Sequence, residues 1–289
     1  MRMDILVSTG WLAKSLGESD LVILDASAHL PDLGRDPAAE FAVNHIKGAR
    51  FLGLPSLKDE TSSVPVALPR ANQFGQRMSE LGLTDQSRIV LYDDSAMRSS
   101  ARAYFICRMF GLTNFAILDG GFAKWRAEGL PVESGTYEAA PSTFTIPRDD
   151  RSGVRSKAEM LANIASCTVQ VVDARDALRF SGETEDTVHN LGGGHIPGAL
   201  NLPFPLVLNS DGTFKQVDEL RSAFEAAGVD LSAPVTGSCG SGMTASVLLF
   251  ALELLGKHDT ALYDGSWGEW GADPDTPKEV GTAKAGAAR

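Results

Sequence analysis

Four segments of this chain occur twice, in the same order, and a chain built that way folds as two copies of one unit. Val22-Ile23-Leu24-Asp25-Ala26-Ser27 returns as Val171-Val172-Asp173-Ala174-Arg175. Asn44-His45-Ile46-Lys47-Gly48-Ala49 returns as Gly194-His195-Ile196-Pro197-Gly198-Ala199. Ile89-Val90-Leu91-Tyr92-Asp93 leads into a polar loop and a helix stopping at Gly111, as Val235 to Ser238 leads into a loop and a helix stopping at Gly256. Leu118-Asp119-Gly120-Gly121-Phe122-Ala123-Lys124-Trp125 returns as Tyr263-Asp264-Gly265-Ser266-Trp267-Gly268-Glu269-Trp270. Within each copy short apolar strands alternate with amphipathic helices, such as Leu12 to Leu16, Gln73 to Leu81 and Ala101 to Phe110. The alternation predicts an α/β fold, each copy a parallel sheet with helices on both faces and its site at the carboxyl ends of the strands. The expected boundaries are a first domain over 1–135, a linker over 136–153 marked by Pro141, Pro147 and Gly153, a second domain over 154–277, and a disordered tail over 278–289 rich in Ala, Gly and charge.

The net charge of −11 argues against nucleic acid or an anionic membrane as partner. No apolar run is long enough to cross a bilayer and Met1-Arg2-Met3-Asp4 opens no secretory leader, so the expected location is the cytoplasm. Cys107, Cys167 and Cys239 are odd in number, far apart and without a C-x-x-C pair, which argues against a disulfide framework or a zinc site. Cys107 and Cys167 sit in apolar or strand-like contexts and read as inert core residues.

Cys239 differs. It opens Cys239-Gly240-Ser241-Gly242-Met243-Thr244, between the strand ending at Ser238 and an apolar helix running from Ala245 to Leu255. There it faces the unpaired N–H groups and positive end of a helix, which favour thiolate over thiol. The two glycines let several N–H groups converge on one anionic sulfur. The first copy carries Asp93-Asp94-Ser95-Ala96-Met97-Arg98-Ser99 at this place and has no sulfur nucleophile. His45 and His195 recur whether or not a cysteine is present, which favours a structural hydrogen bond over catalysis. Trp125 and Trp270 recur likewise and read as core.

These segments resemble the tandem-domain rhodanese superfamily of sulfurtransferases over nearly the whole chain. His195 to Ala199 resembles that family's first signature and Asp264 to Trp270 its C-terminal signature. The cysteine loop, continued by Ala245, is similar to the Cys-Gly-Ser-Gly-Val-Thr-Ala loop of the 3-mercaptopyruvate sulfurtransferase subgroup. The resemblance implies two rhodanese-like domains, the first silent and covering the site of the second. It implies transfer of sulfur from a small anionic donor (3-mercaptopyruvate or thiosulfate) through a Cys239 persulfide to a thiol, cyanide or thioredoxin-like acceptor, with no cofactor and no metal. Gly240, Ser241, Gly242, Met243 and Thr244 would cradle the persulfide, Ser241 resembling the subgroup's donor-contact or proton-relay serine. Arg179, and Arg102 in the first copy, would bind the donor's anionic group.

Three departures from the subgroup stand out. Its second arginine, before the Gly-His-Ile-Pro motif, is missing from Thr184-Glu185-Asp186-Thr187-Val188-His189-Asn190, where His189 is the candidate substitute. Its first-domain Asp and His fall at Pro55 and Val66, and a usual proline is Lys47. A protein-to-protein persulfide carrier is the alternative these losses keep open. A cysteine phosphatase would need an arginine six residues after the cysteine, where Ala245 stands. A purely structural duplicate would leave the Cys-Gly-Ser-Gly loop without a reason.

Overall fold

The computed structural model describes residues 3–137 and 139–283 and divides into two compact units. The first comprises Met1–Asp59, Leu68–Asp150 and Ser210–Thr213, and the second Glu60–Ala67, Arg151–Asn209 and Phe214–Arg289. In the first, the elements run β1 (Leu6–Val7), α1 (Thr9–Ser15), β2 (Leu21–Asp25), α2 (Pro37–Val43), β3 (His45–Ile46), β4 (Ala49–Phe51), α3 (Ala71–Glu80), β5 (Arg88–Tyr92), α4 (Ser100–Met109), β6 (Phe115–Leu118), α5 (Gly121–Ala127) and β7 (Val132–Glu133). In the second they run β8 (Val154–Arg155), α6 (Lys157–Ser166), β9 (Gln170–Asp173), α7 (Ala177–Ser181), β10 (Leu200–Asn201), α8 (Val217–Ala226), β11 (Val235–Ser238), α9 (Ala245–Leu254), β12 (Thr260–Tyr263) and α10 (Ser266–Trp270).

Both sheets are parallel and have one topology. The first is ordered β1-β6-β5-β2-β4, and the second, taken from its other edge, β8-β12-β11-β9-β10. The repeated segments thus occupy equivalent strands, β2 with β9 and β5 with β11. Strands such as Val22-Ile23-Leu24 and Val171-Val172 are buried because helices flank the sheet. α9 is buried from Ala245 to Leu252, as its apolar composition requires, and ends where Gly256 takes φ +78°, a left-handed stop open to glycine at no steric cost. Trp125 and Trp270 are fully buried, their indole N–H groups donating to Pro131 O at 2.9 Å and Pro277 O at 2.8 Å. His45 and His195 are buried too, stacked on Phe41 and Phe180, with Nδ1 2.7 and 2.8 Å from those residues' carbonyls. Both histidines therefore pin a turn.

The structure differs from the sequence-based expectation in three places. Lys278 to Ala283, placed in a disordered tail, are ordered. Glu279 pairs antiparallel with His195 as Glu133 of β7 pairs with His45 of β3, so Pro277-Lys278-Glu279 repeats Pro131-Val132-Glu133. The rest of that expected tail, 284–289, lies outside the described residues. The stretch expected as a linker is held by the first unit up to Asp150: Ser142, Arg148 and Asp150 donate backbone N–H groups to Ser79, Phe110 and Met109. Cys167 is exposed rather than core, because α6 ends on it with φ +50° and turns its side chain out.

One difference between the copies sets a pH dependence. Asp25 ends β2 as Asp173 ends β9, but Ser27 stands where Arg175 supplies a cation. Burial pushes the Asp25 carboxyl up to about 6, against the Ser27 N–H at 2.8 Å that favours the charge. A carboxyl raised on folding binds more protons folded than unfolded, so its effect is to lower stability as pH rises from about 4 through about 6. Asp25→Asn is expected to stabilise the first unit at pH 7 by on the order of 2 kcal/mol, and by nothing below about pH 4. Urea titrations at the two pH values check this; equal stability of variant and parent at pH 7 would refute it.

Candidate active site

Cys239 directly follows β11, between β9 and β12 at the carboxyl edge of the second sheet. Its side chain is buried, 1% exposed. Two backbone bonds tie the loop to α10: Trp267 N–H donates to Cys239 O at 2.9 Å, and Gly268 N–H to Gly240 O at 2.7 Å. The Ser266 hydroxyl adds a third tie. Its Oγ accepts from the N–H groups of Cys239 and Gly242, both at 3.1 Å, and donates to Tyr263 O at 2.9 Å. Ser266 holds φ +51°, where its counterpart Gly121 holds +59°. A side chain in the left-handed region is strained, and here three hydrogen bonds made by one buried hydroxyl hold it there.

The loop then leads its free donors into α9. The N–H groups of Gly240, Ser241, Met243 and Thr244 have no hydrogen-bond partner among the described residues. Gly242 turns at φ +74°, and Ser241 is half-buried at the rim. Such a row of donors at the start of a helix suits a negatively charged group. The first copy meets the same demand internally. Asp93 is the counterpart of Cys239, since Phe122 N–H donates to Asp93 O at 2.9 Å as Trp267 does to Cys239 O. The Asp93 carboxylate accepts from the N–H groups of Ser95 and Ser100, each at 2.9 Å, and burial pushes its pKa up. The helix mouth of the first copy is filled by its own side chain.

Beside the cysteine loop lies a buried ionic cluster. Arg175 donates to Asp173 Oδ2 and Gly194 O, each at 2.7 Å, its NH1 lies 3.6 Å from Asp186 Oδ2, and its guanidinium covers the Trp267 ring at 4.7 Å. Burial works against the charge on Arg175, but the carboxylates of Asp173 and Asp186, with Cys239 behind them, more than restore it and hold its pKa above the ordinary value. Asp186, 0% exposed, accepts His189 Nδ1–H at 2.9 Å and Arg179 at 3.4 Å. Burial alone would raise the Asp186 carboxyl; the His189 hydrogen bond and charge, then Arg179 and Arg175, outweigh it and hold it down at about 2.

Arg179 thus falls on the cluster beside the Cys239 loop. Its guanidinium is shared between Asp176, at 2.5 Å, and Asp186. Arg102 is buried on α4 and belongs to the first unit. Val66 belongs to the Glu60–Ala67 segment of the second unit, exposed and at φ +54°, and offers no titrating group. Sequence reading missed Arg175, Asp186 and Ser266. Two of them were visible as differences between aligned copies, Arg175 against Ser27 and Ser266 against Gly121.

The pattern of the Rhodanese-like domain family is matched twice, over residues 8–128 and 156–273. The chain belongs to the rhodanese family. This rhodanese is 38% identical over 271 residues to the 3-mercaptopyruvate sulfurtransferase of Mus musculus, with 92% of this chain and 91% of the relative covered. It is 36% identical over 290 residues to the thiosulfate sulfurtransferase of Cricetulus griseus, with 98% and 97% covered. The crystal structure of SseA from Escherichia coli superposes with a TM-score of 0.83 at 35% identity, covering 92% of this chain and 99% of SseA. The protein is therefore a two-domain sulfurtransferase. No helix among the described residues is long and apolar enough to cross a membrane.

Proposed function

We propose that sulfur transfer in this rhodanese runs through a persulfide on Cys239. The thiolate attacks the outer sulfur of a small anionic donor, of the 3-mercaptopyruvate or thiosulfate kind, and the desulfurated product leaves. A thiol, cyanide or a thioredoxin-like protein then takes the sulfur and restores the thiolate. The supporting observation is the set of N–H groups of Gly240, Ser241, Met243 and Thr244, unpartnered among the described residues, at the mouth of α9 and next to a cysteine carried by the central strand. Those donors match the negative charge of a persulfide and need no reorganisation as it forms. Arg179 is the donor-binding candidate within the same unit, and Arg102 the candidate from the first copy. The loop sequence from Cys239 to Ala245 favours 3-mercaptopyruvate. A reducing compartment such as the cytoplasm would keep Cys239 available for repeated turnover.

Intact-mass measurement after mixing with 3-mercaptopyruvate or thiosulfate tests this. One added sulfur that is removed by a thiol acceptor is the expected result. No sulfur from either donor would refute the small-donor enzyme and favour the protein-to-protein carrier.

A further inference from the structure

We propose that His189 is a catalytic proton carrier for sulfur loading, fitting this site to thiol donors of the 3-mercapto-2-oxo acid class; this rests on the Cys239 persulfide reading. Asp186 holds the imidazole from one side, its Oδ1 2.9 Å from Nδ1 and 3.3 Å from the His189 backbone N–H. A buried carboxylate on Nδ1 keeps a proton on that nitrogen and makes Nε2 the basic one. Nε2 has no hydrogen-bond partner among the described residues. The ring lies against the nucleophile's own loop: a Cβ on Gly240, the residue after Cys239, would fall 2.1 Å from Cε1 and 2.8 Å from Nε2. A Cβ on Gly268 of α10 would fall 3.6 Å from Cδ2. Glycine at 240 therefore makes room for this histidine. The side chain keeps 17% exposure, so the ring is not sealed off from an incoming donor. The charged groups around it are Asp186 in direct contact, Arg179 on the same Asp186 Oδ1, Arg175 on Asp186 Oδ2, and Cys239, which interacts with Arg175.

The reaction needs one proton moved. The Cys239 thiolate gives an electron pair to the donor sulfur and the Sγ–S bond forms. The carbon–sulfur bond of the donor breaks, its pair passing to the methylene carbon as an enolate. Nε2 takes the proton of the donor thiol and returns it to that carbon, leaving a methyl 2-oxo acid and a deprotonated persulfide. Charge is unchanged and no oxidant or reductant is consumed. Thiosulfate loading leaves sulfite and requires no such transfer.

Quenched-flow intact mass on the full chain, comparing parent, His189→Ala and His189→Gln, separates the possibilities, with iodoacetamide alkylation of Cys239 measured beside it. Both variants are expected to load sulfur from 3-mercaptopyruvate about 10²-fold more slowly, with alkylation unchanged and any thiosulfate loading slowed far less. Glutamine can still donate to Asp186 but cannot carry a proton, so parental loading by that variant would overturn the proposal. So would alkylation falling in step with loading, which would mean that His189 only shapes the loop. A parent that takes sulfur from thiosulfate alone would overturn it while leaving the Cys239 persulfide standing. A parent that takes sulfur from neither donor removes the persulfide reading itself.

Discussion

Cys239→Ser is expected to lower sulfur transfer by about 10⁴-fold or more, with either donor, while leaving the fold intact. The hydrogen bonds that fix residue 239 use its backbone N–H and carbonyl, to Ser266 and Trp267, and a serine keeps both. The side-chain volume is nearly unchanged, so the substitution isolates the chemistry. A hydroxyl is a poor nucleophile toward sulfur at neutral pH, whereas a thiolate is an intrinsically good one. Turnover to cyanide or a thiol, with a melting curve for the variant, checks the result. Retained transfer would shift attention to Cys167, whose thiol is exposed. Cys107 is no rival: burial pushes its thiol up to about 12.

The second large effect is on stability. Arg175→Met is expected to destabilise the second unit by about 3–5 kcal/mol, the cost of leaving buried carboxylates without their cation. Asp173 and Asp186 both rely on this guanidinium, and both are almost wholly buried. Methionine would cover Trp267 about as well, so apolar contact is largely retained and the loss is electrostatic. A fall of about 10 °C in the melting temperature of the second unit is the corresponding thermal shift. The penalty should shrink in acid, because the stranded carboxylates can take up protons. In the parent the sign runs the other way: Asp186, held down at about 2, contributes its stability above about pH 4 and loses it as pH falls toward 2. Urea titrations of both proteins at neutral and acid pH measure this, and a variant as stable as its parent at pH 7 would refute the argument.

The architecture was legible because duplication prints it twice. Strand ends such as Asp25 and Asp173, the histidine turns, and the Trp125 and Trp270 helices all recur in one sheet order. The cysteine loop was legible because glycines, an apolar helix and a strand end coincide there. The ionic cluster was not, since Asp186 and His189 lie in a stretch of the second copy that none of the repeated segments covers, and their meeting with Arg175 depends on tertiary packing. Residues 278–283 were misread for a different reason. Lys278-Glu279-Val280 looks like solvated sequence, and only the pairing of Glu279 with His195 makes it structural. Cys167 was misplaced because residue type alone does not report a left-handed helix end.

Asp93 gives the duplication a further meaning. Both copies inherited a helix mouth that demands a negative charge, and they have answered it in ways that differ in permanence. The first copy wrote the acceptor into its own chain, so that its mouth is filled by the Asp93 side chain as soon as it folds. The second leaves donors open, and on the persulfide reading receives its anion as cargo, one sulfur at a time. Losing an activity after duplication is usually pictured as the decay of a pocket. On the persulfide reading the silent copy would be the finished one, and the working copy the one left open.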